Sequence, residues 1–100
     1  MDISPSRITI RANDRGGAFY ALQTLFQLMP VSVYRPDAAQ HAETFAIPCF
    51  HIEDAPRFAY RGVMLDVSRN FSDKAAVMRY IDWIARHKLN TLHWHLTDDN

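Results

Sequence analysis

One hundred residues, 48% of them apolar and 22% charged, make an ordinary globular composition with room for one modest hydrophobic core. Eleven basic residues balance eleven acidic ones, which removes the electrostatic footprint expected of a nucleic-acid or anionic-membrane binder. Cys49 is the single cysteine, so no internal disulfide exists, and every apolar run is broken by Gln, Arg or Pro well short of a membrane-spanning helix.

From the N-terminus, Asp2, Arg7 and Arg11 interrupt the chain and no apolar region follows them, so no secretory signal peptide is expected. Arg7-Ile8-Thr9-Ile10-Arg11 alternates polar and apolar residues, the pattern of a short half-buried strand. Asn13-Asp14-Arg15-Gly16-Gly17 is turn chemistry, with Asp14 placed to cap a helix. Beyond it, Phe19, Leu22, Phe26 and Met29 fall on one helical face, widened by Leu25 and Leu28, and Pro30 ends the helix. That face requires a partner layer, most simply the sheet containing Ile8 and Ile10. Tyr34 to Thr44 lacks periodicity and reads as a loop; "FAIPCFHI" resumes apolar character, and "EDAPRFAYRG" is a polar approach to the next element.

The second half is more regular. "RGVMLDV", Arg61 to Val67, is a nearly continuous apolar run, as expected of a strand covered on both faces. "SRNFSD" is its exit loop, with Ser72 or Asp73 as N-cap. Val77, Ile81, Ile84 and Lys88, flanked by Met78, Tyr80 and Ala85, predict an amphipathic helix of about four turns. "KLN" breaks it, "TLHWHL" reads as a second strand and "TDDN" as its exit. Strand, helix, strand at this spacing is a βαβ unit with parallel strands and a right-handed crossover. The fold class is therefore α/β.

In parallel α/β architectures function gathers at the C-terminal ends of strands. Both strands here end in polar clusters, Asp66-Val67-Ser68-Arg69 and Thr97-Asp98-Asp99, which must open on the same sheet edge. Two chemistries compete there. His93 and His95, two apart on a strand, point to one face and could ligate one metal ion, although no third histidine or cysteine lies near; alternatively one histidine packs inside while the other orients a neighbour. A saccharide, with vicinal hydroxyls, suits the planar fork of Arg69 and the acceptors of Asp98 and Asp99, against the plainer alternative of a structural ion pair. Asp66 on a buried strand needs a donor, from Arg61 or Arg69, and takes a structural role. Trp94 is expected to pack under the helix and Trp83 to serve packing or an interface. Cys49, beside Pro48, has no adjacent base to activate it.

"IEDAPRFAYRGVMLDVSRNF" followed by "KLNTLHWHLTDDN" resembles the opening of the catalytic barrel in family 20 glycoside hydrolases, the β-N-acetylhexosaminidases. "GGAFYALQTLFQLMP" is similar to the last helix of the small α/β domain that precedes that barrel. The resemblance implies that residues 1–48 are the C-terminal part of that small domain. Residues 49–100 would then be strand 1, helix 1 and strand 2 of a TIM (β/α)8 barrel. It also implies a retaining enzyme without metal or other cofactor, acting on terminal β-linked N-acetylglucosamine or N-acetylgalactosamine, in which the substrate's own acetamido oxygen attacks the anomeric carbon. By position, Arg69 matches the arginine that binds the sugar's 3- and 4-hydroxyls. Asp98 matches the carboxylate that supports the general acid through a histidine farther along, and neither His93 nor His95 is a metal ligand.

Asn70 departs from the family's usual His and Asn100 from its common Gln, which touches fine specificity rather than reaction class. The family's Asp-Glu pair sits on a later strand, and here only the reversed Glu53-Asp54 occurs. A segment of a longer enzyme is therefore expected, inactive alone, with unpaired strand edges through which copies could associate. The rival readings are a metal-dependent barrel hydrolase using His93 and His95, and a non-catalytic sugar-binding or interaction module.

Overall fold

Ser4-Pro5-Ser6-Arg7 reverses the chain near the start of the computed structural model, which describes residues 1–35, 37 and 44–99. The Ser4 hydroxyl donates to the Arg7 carbonyl at 2.8 Å and accepts the Arg7 N–H at 3.1 Å. This turn joins two antiparallel strands, β1 (Asp2–Ser4) and β2 (Arg7–Thr9), with Ile3 opposite Ile8. The expected strand at Arg7–Arg11 is thus present but shorter, and β1 was not anticipated, because three residues cannot display a period. The other edge of β1 is occupied too. Ile3 N–H donates to the Phe50 carbonyl at 2.9 Å, Ile52 N–H to the Met1 carbonyl at 2.8 Å, and Asp2 and His51 form an antiparallel bridge. Backbone therefore flanks Ile3 on both sides, and its side chain is buried.

Helix α1 (Arg15–Gln27) starts where the turn chemistry placed it. Asp14 is extended and its carboxylate accepts the Gly17 N–H at 2.6 Å. A Cβ at residue 17 would press to 3.3 Å on both that oxygen and the Ala12 methyl, which favours glycine there. The helix stops before Pro30, which opens a 3₁₀ turn over Val31–Tyr34, and the Tyr34 hydroxyl donates to the Phe26 carbonyl, which also accepts the Met29 N–H at 3.1 Å. The expected packing of α1 is not what the structure shows. Phe19, Leu22 and Phe26 remain substantially exposed, as does Ile8, while Gln23 is buried. Two three-residue strands are too small a surface to cover a helical face of that width. The predicted loop at Tyr34–Thr44 falls mostly on residues 36 and 38–43, outside the described set, as does Asn100.

The chain divides into two compact units, Met1–Ala55 and Pro56–Asn100, so the pairing of Phe50–Ile52 with β1 carries the first unit past residue 48. The second unit contains β3 (Gly62–Asp66), α2 (Lys74–Arg86) and β4 (Thr91–His95). β3 and β4 pair in parallel, as the spacing predicts, and their register sets Gly62 opposite Thr91, Met64 opposite His93 and Asp66 opposite His95. Asp73 is the N-cap of α2, accepting the Ala76 N–H at 2.6 Å. Strand alternation places Val63, Leu65, Leu92 and Trp94 on one face and Met64, Asp66, His93 and His95 on the other. Val77 of α2 is only 4% exposed and forms the buried centre of this unit, with Tyr80, Ile84 and Lys88 half-buried along the same stripe. Ile81 and Met78, expected inside, lie outside it.

The expectation that β3 is covered on both faces fails. Met64 is 55% exposed, because one helix can cover only one face of a two-stranded sheet. Trp94, expected to pack under the helix, also remains exposed, and Trp83, expected to serve packing or an interface, is exposed as well.

The N-terminal edge of this sheet is locked by side chains. Asn90 accepts the Arg61 N–H at 2.9 Å and donates to the Ala59 carbonyl at 2.7 Å, while its own N–H donates to the Arg61 carbonyl at 2.9 Å. Arg61 Nε reaches the Lys88 carbonyl at 2.9 Å and its Nη1 the Phe58 carbonyl at 2.6 Å. Lys88 has φ 60° and closes α2 as a Schellman motif, with Leu89 N–H on the Ile84 carbonyl at 2.9 Å and Lys88 N–H on the Ala85 carbonyl at 3.0 Å. This bracket sets the register in which the opposite edge is read.

Candidate functional site

Asp66 and His95 are the last residues of β3 and β4 and are register partners, so the two exit loops leave the sheet side by side. The ladder runs one step further, with Val67 N–H on the His95 carbonyl at 3.0 Å. Asp66 then organises its own exit: one carboxylate oxygen accepts the Ser68 N–H at 3.0 Å and the Arg69 N–H at 3.3 Å. That turn brings the Arg69 side chain back over the strand end, where Nη1 donates to the second Asp66 oxygen at 2.9 Å. Nη2 of the same guanidinium donates to Asp98 Oδ2 at 2.7 Å, across 29 residues of chain. Asp98 Oδ1 accepts the Asp99 N–H at 3.0 Å, which holds that carboxylate in its loop.

The expected convergence of Arg69 and Asp98 is therefore observed. Arg69, not Arg61, is the donor for Asp66, since Arg61 sits at the far end of the strand. Asp99 contributes its backbone to Asp98 and stays exposed. The Arg69 side chain is 67% exposed, against 21% for Asp66 and 30% for Asp98. An ion pair so open to water contributes at most about 1 kcal/mol to stability. Its geometry, a fork clamped between two carboxylates at a sheet edge, is suited to recognition. One cation faces two anions, and a guanidinium with five N–H donors beside carboxylate acceptors can exchange hydrogen bonds with adjacent hydroxyls.

The sequence left open which histidine would orient a neighbour, and in the structure it is His95 that stands beside Asp98. Its Nε2 lies 3.5 Å from Asp98 Oδ2, and that nitrogen has almost no exposed surface and no hydrogen-bond partner among the described residues. Asp66 and Arg69 are three apart, as are His95 and Asp98, so Arg69 and Asp98 meet at equal offsets from paired residues, and His95 lies within reach of Asp98. The His93 and His95 rings share a face with centroids 6.3 Å apart. Among the described residues, however, no three His, Cys, Asp or Glu side chains gather as ligands of one metal ion. Nor is any helix there long and apolar enough to cross a membrane.

Comparison with known proteins gives this geometry a family. Residues 58–100, which contain the whole site, match Glycosyl hydrolase family 20, catalytic domain. Residues 1–55 match Glycosyl hydrolase family 20, domain 2. The chain is 46% identical over 99 residues to the N,N'-diacetylchitobiase of Vibrio harveyi, covering 99% of this chain and 10% of that protein. It is 41% identical over 92 residues to a Beta-hexosaminidase of Porphyromonas gingivalis, covering 92% of this chain and 12% of that protein. Against the Beta-hexosaminidase subunit beta of Mus musculus it is 38% identical over 90 residues, covering 90% of this chain and 15% of the relative. The chain thus spans 10% to 15% of the length of these relatives. With one family's two domain models matched in succession along it, the chain belongs to glycosyl hydrolase family 20.

Proposed function

We propose that this chain is part of a β-N-acetylhexosaminidase that removes terminal non-reducing N-acetylglucosamine or N-acetylgalactosamine by a retaining, substrate-assisted route. The observation that carries the reading is the 2.7 Å contact between Arg69 and Asp98 at two adjacent parallel strand ends. Arg69 exchanges its carboxylate contacts for the 3- and 4-hydroxyls of the pyranose, and its planar fork selects their spacing and direction. Asp98 stays behind as the carboxylate that steadies the histidine serving the general acid. The acetamido oxygen of the substrate forms the bond to the anomeric carbon as the glycosidic bond breaks, and the general acid protonates the departing oxygen.

In this reading the first unit is the end of a small α/β domain, and β3, α2 and β4 open a (β/α)8 barrel. The half-polar face of Met64, Asp66, His93 and His95 suits the interior of a barrel, where strand ends carry the chemistry. No Asp-Glu pair occurs in these 100 residues, so the chain by itself does not turn over substrate.

The test uses an aryl N-acetylglucosaminide whose release is followed by colour. The protein expressed from its full genomic reading frame should hydrolyse it, and the 100-residue chain should not. In the active protein Arg69→Ala should raise KM about a hundredfold, the scale of losing a charge-assisted contact pair. Asp98→Asn should chiefly lower kcat. Equal and negligible effects of both substitutions would remove Arg69 and Asp98 from the site.

A further inference from the structure

Asp98 Oδ2 is shared. It accepts Arg69 Nη2 at 2.7 Å and faces His95 Nε2 at 3.5 Å, while Oδ1 is already committed to the Asp99 N–H. If Arg69 turns to substrate hydroxyls, as the hexosaminidase reading requires, Oδ2 loses its nearer partner. The group then left to hold it is the imidazole, whose Nε2 is sealed from water and has no other hydrogen-bond partner among the described residues. His95 is on a paired strand and Asp98 on a loop, so the ring is the better fixed of the two.

We infer that His95 is a positioning residue for Asp98: its Nε2–H anchors the carboxylate, so that Asp98 keeps its place when Arg69 engages a sugar. The tautomer follows from the geometry. With the proton on Nδ1 the Nε2 lone pair would face a carboxylate oxygen, which is repulsive; with the proton on Nε2 the same approach becomes a hydrogen bond, closed by a shift of a few tenths of an ångström. Asp66, the register partner of His95, is itself engaged by the Ser68 N–H, the Arg69 N–H and the guanidinium.

Two measurements decide it, the second resting on the hexosaminidase reading and the first not. Histidine nitrogen NMR on the 100-residue chain should show His95 as the Nε2–H tautomer, with that preference lost in Asp98→Ala. A wild-type Nδ1–H tautomer, or no response to Asp98→Ala, overturns the inference. In the protein from the full reading frame, His95→Leu should lower kcat about tenfold or more with KM within about twofold, as expected when a supporting group misplaces a reacting one. His95→Gln, whose amide nitrogen reaches the Nε2 position, should restore most of the rate. Should the leucine variant fail to fold, His95→Asn, whose amide reaches only the Nδ1 position, takes its place with the same expectation. A glutamine variant as slow as the leucine or asparagine one, or a leucine variant as fast as wild type, overturns the inference. An inactive wild-type protein defeats the hexosaminidase reading, and the tautomer then decides the His95–Asp98 contact alone.

Discussion

Single residues in this chain carry interactions whose signs can be worked out. The Asp2 carboxyl is held below its ordinary value, first by its 2.6 Å hydrogen bond with His51, against a smaller opposing desolvation, then by the charges of His51, the N-terminal amine and Arg11. A depressed folded-state value means that the contribution is complete above the ordinary carboxylate range and is lost as pH falls through the depressed midpoint. His51→Ala should move the Asp2 midpoint, followed by carbon NMR, back up towards that range; an unmoved midpoint would show that the hydrogen bond is not its cause. Lys88 offers a second case. Its φ of 60° is a conformation in which a Cβ crowds the following carbonyl. Lys88→Gly and Lys88→Ala both delete the side chain, but only glycine relieves that crowding. The glycine variant should exceed the alanine one by about 1 kcal/mol in urea unfolding.

At the scale of elements, helix starts were legible in the residues and helix packing was not. Asp14 caps where the sequence places it, and Asp73 is the one of the two candidates, Ser72 and Asp73, that caps α2, since capping depends only on a short polar side chain and an N–H three residues on. Asp73→Ala should cost about 1 kcal/mol, read as a lower thermal midpoint of the second unit. Val77→Ala should cost about 2 kcal/mol, because Val77 is the buried centre of that unit and two methyl groups leave it. Ile81→Ala, by contrast, should cost less than half as much, although periodicity put both residues on the same stripe. Equal losses for the two would contradict the observed burial. The α1 face fails in the same way: Phe19, Leu22 and Phe26 are periodic enough to form a face, but periodicity says nothing about the size of the surface available to cover it.

For the second unit taken whole, the exposed face is a prediction in itself. Met64 and His93 stand open, and among the described residues β3 and β4 pair only with each other, an arrangement that pairs with another chain unless something covers it. The 100-residue chain should therefore self-associate in sedimentation velocity at high concentration, and Met64→Lys should shift it towards monomer; a monomeric wild type at all concentrations would count against this. The amino-acid sequence alone determined the parallel strand–helix–strand unit, its caps and the polar character of both strand ends, because these depend on residues a few positions apart. Only the tertiary structure decided that Asp66 pairs with His95, and hence that Arg69 meets Asp98 and that His95 stands behind both. Register is a long-range choice, set here by Arg61 and Asn90 at the opposite edge, and a slip of one residue would turn every β4 side chain to the other face.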